Sequence, residues 1–523
     1  MTTNELRRAA ARREDVSESD VREQLDGSDA EARVLAATAV YHSRLRQSVD
    51  ALGELCGAQH YADSGTLNLL GQLAAISDNP FPVLAARKGV GLRMLAAGDI
   101  RGGIATIESA QIDGNHIGSR VDYRSRRGMR FLHDPEIDEA YERVGRMLDG
   151  APGRGQAAPQ PYLGIIGSTL VETAATTVGL VSNVEGLIDN GYRVRVLLSA
   201  HTPTGESWAM ARLASLGVPV WTAPLGNPVD RVVATVAELA RDPVDLMLFY
   251  TWPMDAVGQI ASVTGLAPRQ IFLNHTCESR IGRFDAIVQP VRDSSHSYRP
   301  ELCRYVTPAS IAAERVEAAA PADRARYGVR NDQLLLGTYG RLSKCVERSY
   351  TDALSRVLRH VPEAVLVLPG LPDPASEAEI RAAFTASGVI DRVRFPGFLK
   401  EEYFRLLKAT DIYFDTFSWT GGQSIIDAMV AGVPIVANLP TIDPDFDPTG
   451  TSSISIGGTL LHPDVPVAPP LDVDAYVAIA LEYIREPEKR LSDAVLNRAA
   501  ASDYRPERYA TGLDVVIREV LAR

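Results

Sequence analysis

Two doubly wound, Rossmann-like α/β domains in series, behind an α-helical front, make the fold that this sequence predicts. Three observations predict it. Short apolar runs alternate with helical runs from residue 162 onward. A Pro/Gly-rich stretch separates them from a helix-rich start. The alternation then restarts after Val306-Thr307-Pro308. At 523 residues the chain is too long for one ordinary domain.

The expected organisation is a helical N-terminal domain over 1–147, a linker over 148–161, a first Rossmann-like domain over 162–307 and a second over 308–523 that includes the terminal helices. The front carries good helix formers at helical spacing, as in Ala30-Glu31-Ala32-Arg33-Val34-Leu35-Ala36 and Leu92-Arg93-Met94-Leu95. Leu95-Ala96-Ala97-Gly98-Asp99 faintly resembles a tetratricopeptide unit, but no period repeats, so a solenoid is not expected. The linker opens with Asp149-Gly150-Ala151-Pro152-Gly153 and runs on to Pro161. The first domain's strands are expected at 162–166, 192–198, 219–221, 245–250 and 270–274. Those of the second are expected at 334–339, 364–368, 393–395, 412–415 and 434–437. Two such sheets face a ligand cleft with the carboxyl ends of their strands.

Composition narrows the ligand. The hydrophobic share of 45% supports real cores, and the net charge of −12 excludes a nucleic-acid partner. Lysines are confined to positions 88, 344, 400, 408 and 489, so an anionic ligand must be met by a few local cations and backbone N–H groups. Cys56, Cys277, Cys303 and Cys345 form no zinc pattern, and no metal is expected. No h-region opens the chain and no apolar run reaches the ~20 residues of a membrane span, so a cytoplasmic protein with no membrane partner is expected.

Strand, loop and helix meet in Tyr413-Phe414-Asp415-Thr416-Phe417-Ser418-Trp419-Thr420-Gly421-Gly422-Gln423-Ser424. Gly421 and Gly422 let the backbone approach a ligand closely, and the helix after them offers free N–H groups and its positive end to an anion. Gln423 and Ser424 add side-chain donors. Asp427, one turn on, can accept from ribose hydroxyls. The plain alternative is a glycine turn with a capping serine and a solvent-facing aspartate. Arg341 and Lys344, in Tyr339-Gly340-Arg341-Leu342-Ser343-Lys344, are either diphosphate ligands or surface cations just beyond a strand.

A wider pattern favours the ligand readings. Phe395-Pro396-Gly397-Phe398-Leu399-Lys400-Glu401-Glu402 precedes a strand ending in Asp415-Thr416, then the Gly-Gly-Gln-Ser turn, Asp427, and Gly432-Val433-Pro434. In order and spacing, residues 331–439 resemble the donor half of the O-GlcNAc transferase family and its bacterial relatives, enzymes of the GT-B type. The resemblance implies a nucleoside-diphosphate sugar, UDP- or GDP-linked, with no cofactor or metal. It puts Lys344 at the diphosphate, Arg341 beside it, and Phe398 and Lys400 along the base. Gln423 stands where the family usually has histidine. The paired glutamates of many retaining GT-B enzymes are missing, because their two positions hold Trp419 and Asp427, so inversion is expected.

An inverting enzyme needs a base near the acceptor. His275 is ranked first, because imidazole titrates near neutral pH, then Glu172, with His201 a third choice. Glu278 and Arg280 could bind donor or acceptor. The short helical front points to a small-molecule acceptor in bacterial secondary metabolism, and that front is also the surface expected for any homo-oligomer. The alternatives are a protein O- or N-glycosyltransferase, a nucleotide-sugar epimerase and a non-catalytic scaffold. Gly164-Ile165-Ile166-Gly167 lacks the third glycine of a dinucleotide fingerprint, which disfavours a dehydrogenase.

Overall fold

The computed structural model describes residues 81–118, 134–149, 160–171, 174–200, 207–252, 254–274, 278–290, 297–310, 312–371, 373–400, 402–417, 422–439, 457–470 and 472–523. The expected helices of residues 1–80 lie outside this set. The described part of the front is helical. Helices α1 (Phe81–Ala96) and α2 (Ile100–Gly118) are joined by a tight turn, and a Cβ on Gly91 would come within 2.7 Å of Ile107. Helix α3 (Pro135–Met147) begins where Asp134 accepts from the backbone N–H groups of Glu136 and Ile137 and pairs with Lys88.

The first sheet contains β1 (Tyr162–Gly167), β2 (Arg193–Leu198), β3 (Val220–Thr222), β4 (Leu246–Tyr250), β5 (Arg269–Leu273), β6 (Ala286–Gln289) and β7 (Cys303–Tyr305), all parallel, in the order β3-β2-β1-β4-β5-β6-β7. Its crossovers include α4 (Ala175–Asp189), α5 (Trp208–Ser215), α6 (Pro228–Arg241) and α7 (Ala256–Val263). β4 is buried along its whole length, because helices cover both faces of the sheet, and that is why these strands read as unbroken apolar runs. The sequence pattern does not anticipate β6 and β7, which are too short for a recognisable apolar run.

The second domain holds α8 (Ala313–Ala318), β8 (Leu334–Gly337), α9 (Arg348–His360), β9 (Ala364–Val367), α10 (Pro374–Ala386), β10 (Val393–Arg394), α11 (Glu402–Ala409), β11 (Ile412–Phe414), α12 (Gly422–Ala431), β12 (Ile435–Val436), α13 (Gly457–Leu460), α14 (Val473–Arg485) and α15 (Pro487–Ala500). Its parallel sheet runs β10-β9-β8-β11-β12. In each sheet the strand order reverses beside the first strand, between β1 and β4 and between β8 and β11. Loops leaving the carboxyl ends there diverge and open a crevice.

Helix α16 (Pro506–Leu521) departs from the expected division. Expected to belong to the second domain, it instead packs Leu513, Val516, Ile517 and Val520 into the core that holds Leu163, Leu180 and Leu248. The Tyr192 hydroxyl donates to Asp514 Oδ1 at 2.7 Å, and Arg304 pairs with Glu519. The helix is amphipathic, and its apolar stripe lies beside α4 and covers the part of the same sheet face, over β5 and β6, that α4 leaves open.

Candidate active site

The site is built at the switch point of the second sheet. After β8 the chain passes through Thr338, Tyr339 and Gly340 into a single 3₁₀ turn, Leu342–Lys344. This loop lies tight against its neighbour: a Cβ on Gly370, just beyond β9, would stand 2.5 Å from the Gly340 carbonyl oxygen. Gly370 N–H in turn donates to Gly397 O at 3.1 Å, so the loops after β8, β9 and β10 are laced together through backbone. Lys344 is half-buried there, and among the described residues it forms no ion pair. Burial pulls its ammonium below the usual lysine range, with Arg341 adding to the effect and the Asp415 carboxylate opposing it. Arg341 is exposed beside it.

Three tyrosines carry this loop. Tyr339 stacks on Tyr413 at 5.9 Å between centroids and meets Tyr403 edge-on at 5.5 Å. The Tyr413 hydroxyl donates to Ser424 Oγ at 3.0 Å, and the Tyr403 hydroxyl donates to Asp427 Oδ2 at 3.2 Å. One aromatic cluster thus fixes the Lys344 loop and the first two turns of α12 relative to each other. Sequence reasoning misses it because tyrosines at strand and helix starts read as ordinary core.

Asp427 is not the solvent-facing aspartate of the plain alternative. It is 6% exposed, and its Oδ1 has no hydrogen-bond partner among the described residues. Burial lifts its carboxyl to about 7, against the Tyr403 hydroxyl and the more distant Arg315. A buried acceptor without a donor costs about 1–3 kcal/mol, which a ligand hydroxyl would recover. Gly422 opens α12, and Ser424 lies in its first turn, as expected. Gln423 is turned elsewhere: its Nε2 donates to the Ala309 carbonyl at 2.5 Å, tying the helix start to the segment that joins the domains. Gly421 lies outside the described residues.

Phe398 is 43% exposed at the rim, in reach of a planar ligand. Lys400, also exposed, has φ +41°, the left-handed region that costs a non-glycine residue roughly 1–2 kcal/mol. Such strain gathers at functional loops.

The first sheet's switch point is built differently. Asp255 caps α7 by accepting from Gly258 N–H, and its Oδ2 accepts from Ser168 Oγ at 2.7 Å and from Ser199 Oγ at 2.5 Å. Ser168 follows β1, Ser199 follows β2 and Asp255 follows β4, so one carboxylate ties together three carboxyl ends. His275, Glu172 and His201 lie outside the described residues. Glu278 is fully buried, and both its oxygens lie within 2.9 Å of Ser297 Oγ. Arg280 pairs with Asp138 at 3.4 Å and covers the Tyr298 ring. Both residues are therefore held by protein groups. No helix among the described residues is long and apolar enough to cross a membrane.

No protein-family model matches the chain. Its architecture matches a mutant O-GlcNAc transferase from Thermobaculum terrenum over 100% of this chain and 98% of that one, with a TM-score of 0.58 and 17% identity. HepE from Anabaena, solved with UDP-glucose, matches 70% of this chain and 100% of its own, with a TM-score of 0.53 and 18% identity. A glycosyltransferase from Rickettsia africae matches 70% of this chain and 99% of its own, with a TM-score of 0.54 and 10% identity. The fold is GT-B.

In sequence, 117 residues are 34% identical to a UDP-N-acetylglucosamine–peptide N-acetylglucosaminyltransferase of Giardia intestinalis. That match spans 22% of this chain and 8% of the relative. In this GT-B chain the Lys344 loop and the start of α12 flank the switch point of the second sheet, which gathers a cation, a helix amino end and a carboxylate oxygen without a partner among the described residues.

Proposed function

We propose that this chain is a glycosyltransferase that takes its sugar from a nucleoside-diphosphate donor, with UDP or GDP as the carrier. Two observations carry the reading together: among the described residues, Lys344 is a half-buried cation without an ion pair, and the buried Oδ1 of Asp427 lacks a donor. The diphosphate lies against Lys344, Arg341 and the amino end of α12, where Ser424 and backbone N–H groups meet its oxygens. Asp427 Oδ1 accepts from a ribose hydroxyl, and Phe398 and Lys400 line the base. HepE, of the same fold, is solved with UDP-glucose, which supports a UDP carrier here.

Charge on the diphosphate grows as the bond to the sugar breaks, and the Lys344 ammonium stabilises that charge without a metal. The reaction inverts the sugar carbon by direct displacement, with His275 or Glu172 taking the proton of the acceptor nucleophile. The acceptor is a small molecule of bacterial secondary metabolism, and the reaction takes place in the cytoplasm. A protein acceptor is the second reading, favoured by the sequence match to a peptide N-acetylglucosaminyltransferase.

A thermal-shift panel of UDP, GDP, TDP, ADP and NAD on wild type and Lys344→Ala tests the donor site. A ligand at a hundred times Kd adds about 2.7 kcal/mol to the native state. Selective stabilisation by one nucleoside diphosphate, lost in the variant, is expected. Indifference to all five would remove the donor site. Turnover should survive a chelator, and strong inhibition by one would end the metal-free mechanism.

A further inference from the structure

The helical front and the first α/β domain meet across a charged seam. Arg101 pairs with Asp230, Arg280 with Asp138, Arg283 with Asp149, and Glu108 with Arg231. Three of these pairs leave at least one partner well exposed or touch at long range. The fourth is different. The Glu108 and Arg231 side chains are 14% and 13% exposed, and both carboxylate oxygens meet Arg231 Nη2, at 3.2 and 3.0 Å.

Glu108 lies on α2, yet the backbone N–H of Ala256, the first residue of α7, is close enough to favour its charged form. The carboxylate therefore lies near the positive end of a helix belonging to the other domain. The same guanidinium donates through Nη1 to the Ser199 carbonyl at 3.1 Å, at the carboxyl end of β2. Beside it, Asp255 holds the hydroxyls of Ser168 and Ser199. Burial and the nearby Asp255 carboxylate raise the Glu108 carboxyl to about 7, with Arg231 and the Ala256 N–H opposing them. A carboxylate inserted against such a penalty couples the parts it joins.

We propose that Glu108 is a positioning residue of the acceptor half: acting through Arg231, which reaches the Ser199 carbonyl, it fixes the carboxyl ends of β1, β2 and β4 that Asp255 and its two serines tie together. The helical front is then a working part of the catalytic unit. This inference rests on the glycosyltransferase reading for its catalytic consequence and on geometry alone for the coupling.

The two parts are tested separately in the full chain. Hydrogen exchange is compared in wild type, Glu108→Gln, Arg231→Met, the double variant and Arg101→Ala, the last altering an exposed pair in the same seam. Both single variants should speed exchange at least tenfold at the Ser199, Ala200, Trp252 and Gly258 amides, which close this network. The double variant should be no worse than the stronger single one, as expected of groups acting as a unit. Arg101→Ala should leave those amides unchanged. Faster exchange confined to α1, α2 and α3 would overturn the coupling.

Hydrolysis of UDP-N-acetylglucosamine and UDP-glucose then reads the catalytic part. For Glu108→Gln, kcat should fall about tenfold with the donor KM within twofold of wild type. A raised KM with unchanged kcat would overturn the positioning role. If wild type neither binds UDP nor hydrolyses either donor, the proposed function fails, while the exchange result still decides the coupling.

Discussion

The carboxyl edges of the two sheets share a topology and differ in how their polar groups are satisfied. At the first edge, Asp255 accepts from two serines and a helix amide, Glu278 from Ser297, and Glu108 from Arg231. Protein groups hold these carboxylates, and among the atoms that the first edge leaves unsatisfied by the described residues are the neutral Thr251 Oγ1 and Gln289 Oε1. At the second edge, among the described residues, Lys344 forms no ion pair and Asp427 Oδ1 accepts no hydrogen bond. The second edge thus leaves a cation and an acceptor without partners among the described residues, and under the proposed function their complement is a diphosphate joined to a hydroxylated sugar ring.

The largest expected effect comes from removing the cation. Lys344→Ala should lower turnover by about 10²–10³-fold, the scale of losing one preorganised donor at a developing charge. Its melting temperature should hold or rise, because a desolvated ammonium is removed. Near-normal turnover in a folded variant would place the chemistry elsewhere. Gly370→Ala comes next. Its new Cβ stands 2.5 Å from the Gly340 oxygen, so the Lys344 loop must shift. Overpacking of this kind costs about 1–3 kcal/mol, and donor affinity should fall about tenfold in titration calorimetry. Unchanged affinity would show that the loop's position does not matter.

Asp427→Asn tests the orphaned oxygen and carries a pH signature. The native carboxyl sits at about 7 against an ordinary 3.8, so the folded state holds a proton that the unfolded chain releases. That stabilisation is complete below pH ~4 and is lost as pH rises to ~7. Denaturant melts at pH 4.5 and 8 should show a smaller loss in the variant than in wild type, the difference isolating Asp427 from Glu108 and Asp138, which shift the same way. Equal losses in the two proteins would mean that Asp427 is ionised throughout. The donor KM should also rise severalfold. Smallest is Phe398→Ala at the open rim, expected to weaken nucleotide binding two- to fivefold with kcat unchanged. A kcat effect there would move Phe398 from the base to the sugar.

The long strands were legible because a parallel sheet covered on both faces demands unbroken apolar runs, as in Leu246–Tyr250. Lys344 stood out because it follows such a run in a chain poor in lysine. Burial was not legible: the spacing of Asp427 fits a wet helix face as well as a dry one, and only Tyr403 packing beside it decides. Nor was the turn of Gln423 toward Ala309, since nothing local says that the connecting segment lies beside α12. Asp255 had a readable signal that went unused. Ser168, Ser199, Thr251 and Asn274 each follow a buried strand directly, so their row marks the edge that such a carboxylate would gather.

Helix α16 gives the chain an order of assembly. The core containing Leu163, Leu180 and Leu248 is closed by Leu513, Val516, Ile517 and Val520, which the ribosome supplies only after the whole second domain has been made. Through that interval the first sheet emerges with part of one greasy face uncovered, a surface that chaperones recognise and that aggregates readily. Fragments ending anywhere before residue 506 should share that defect permanently, so the first domain is a unit in space without being one along the gene.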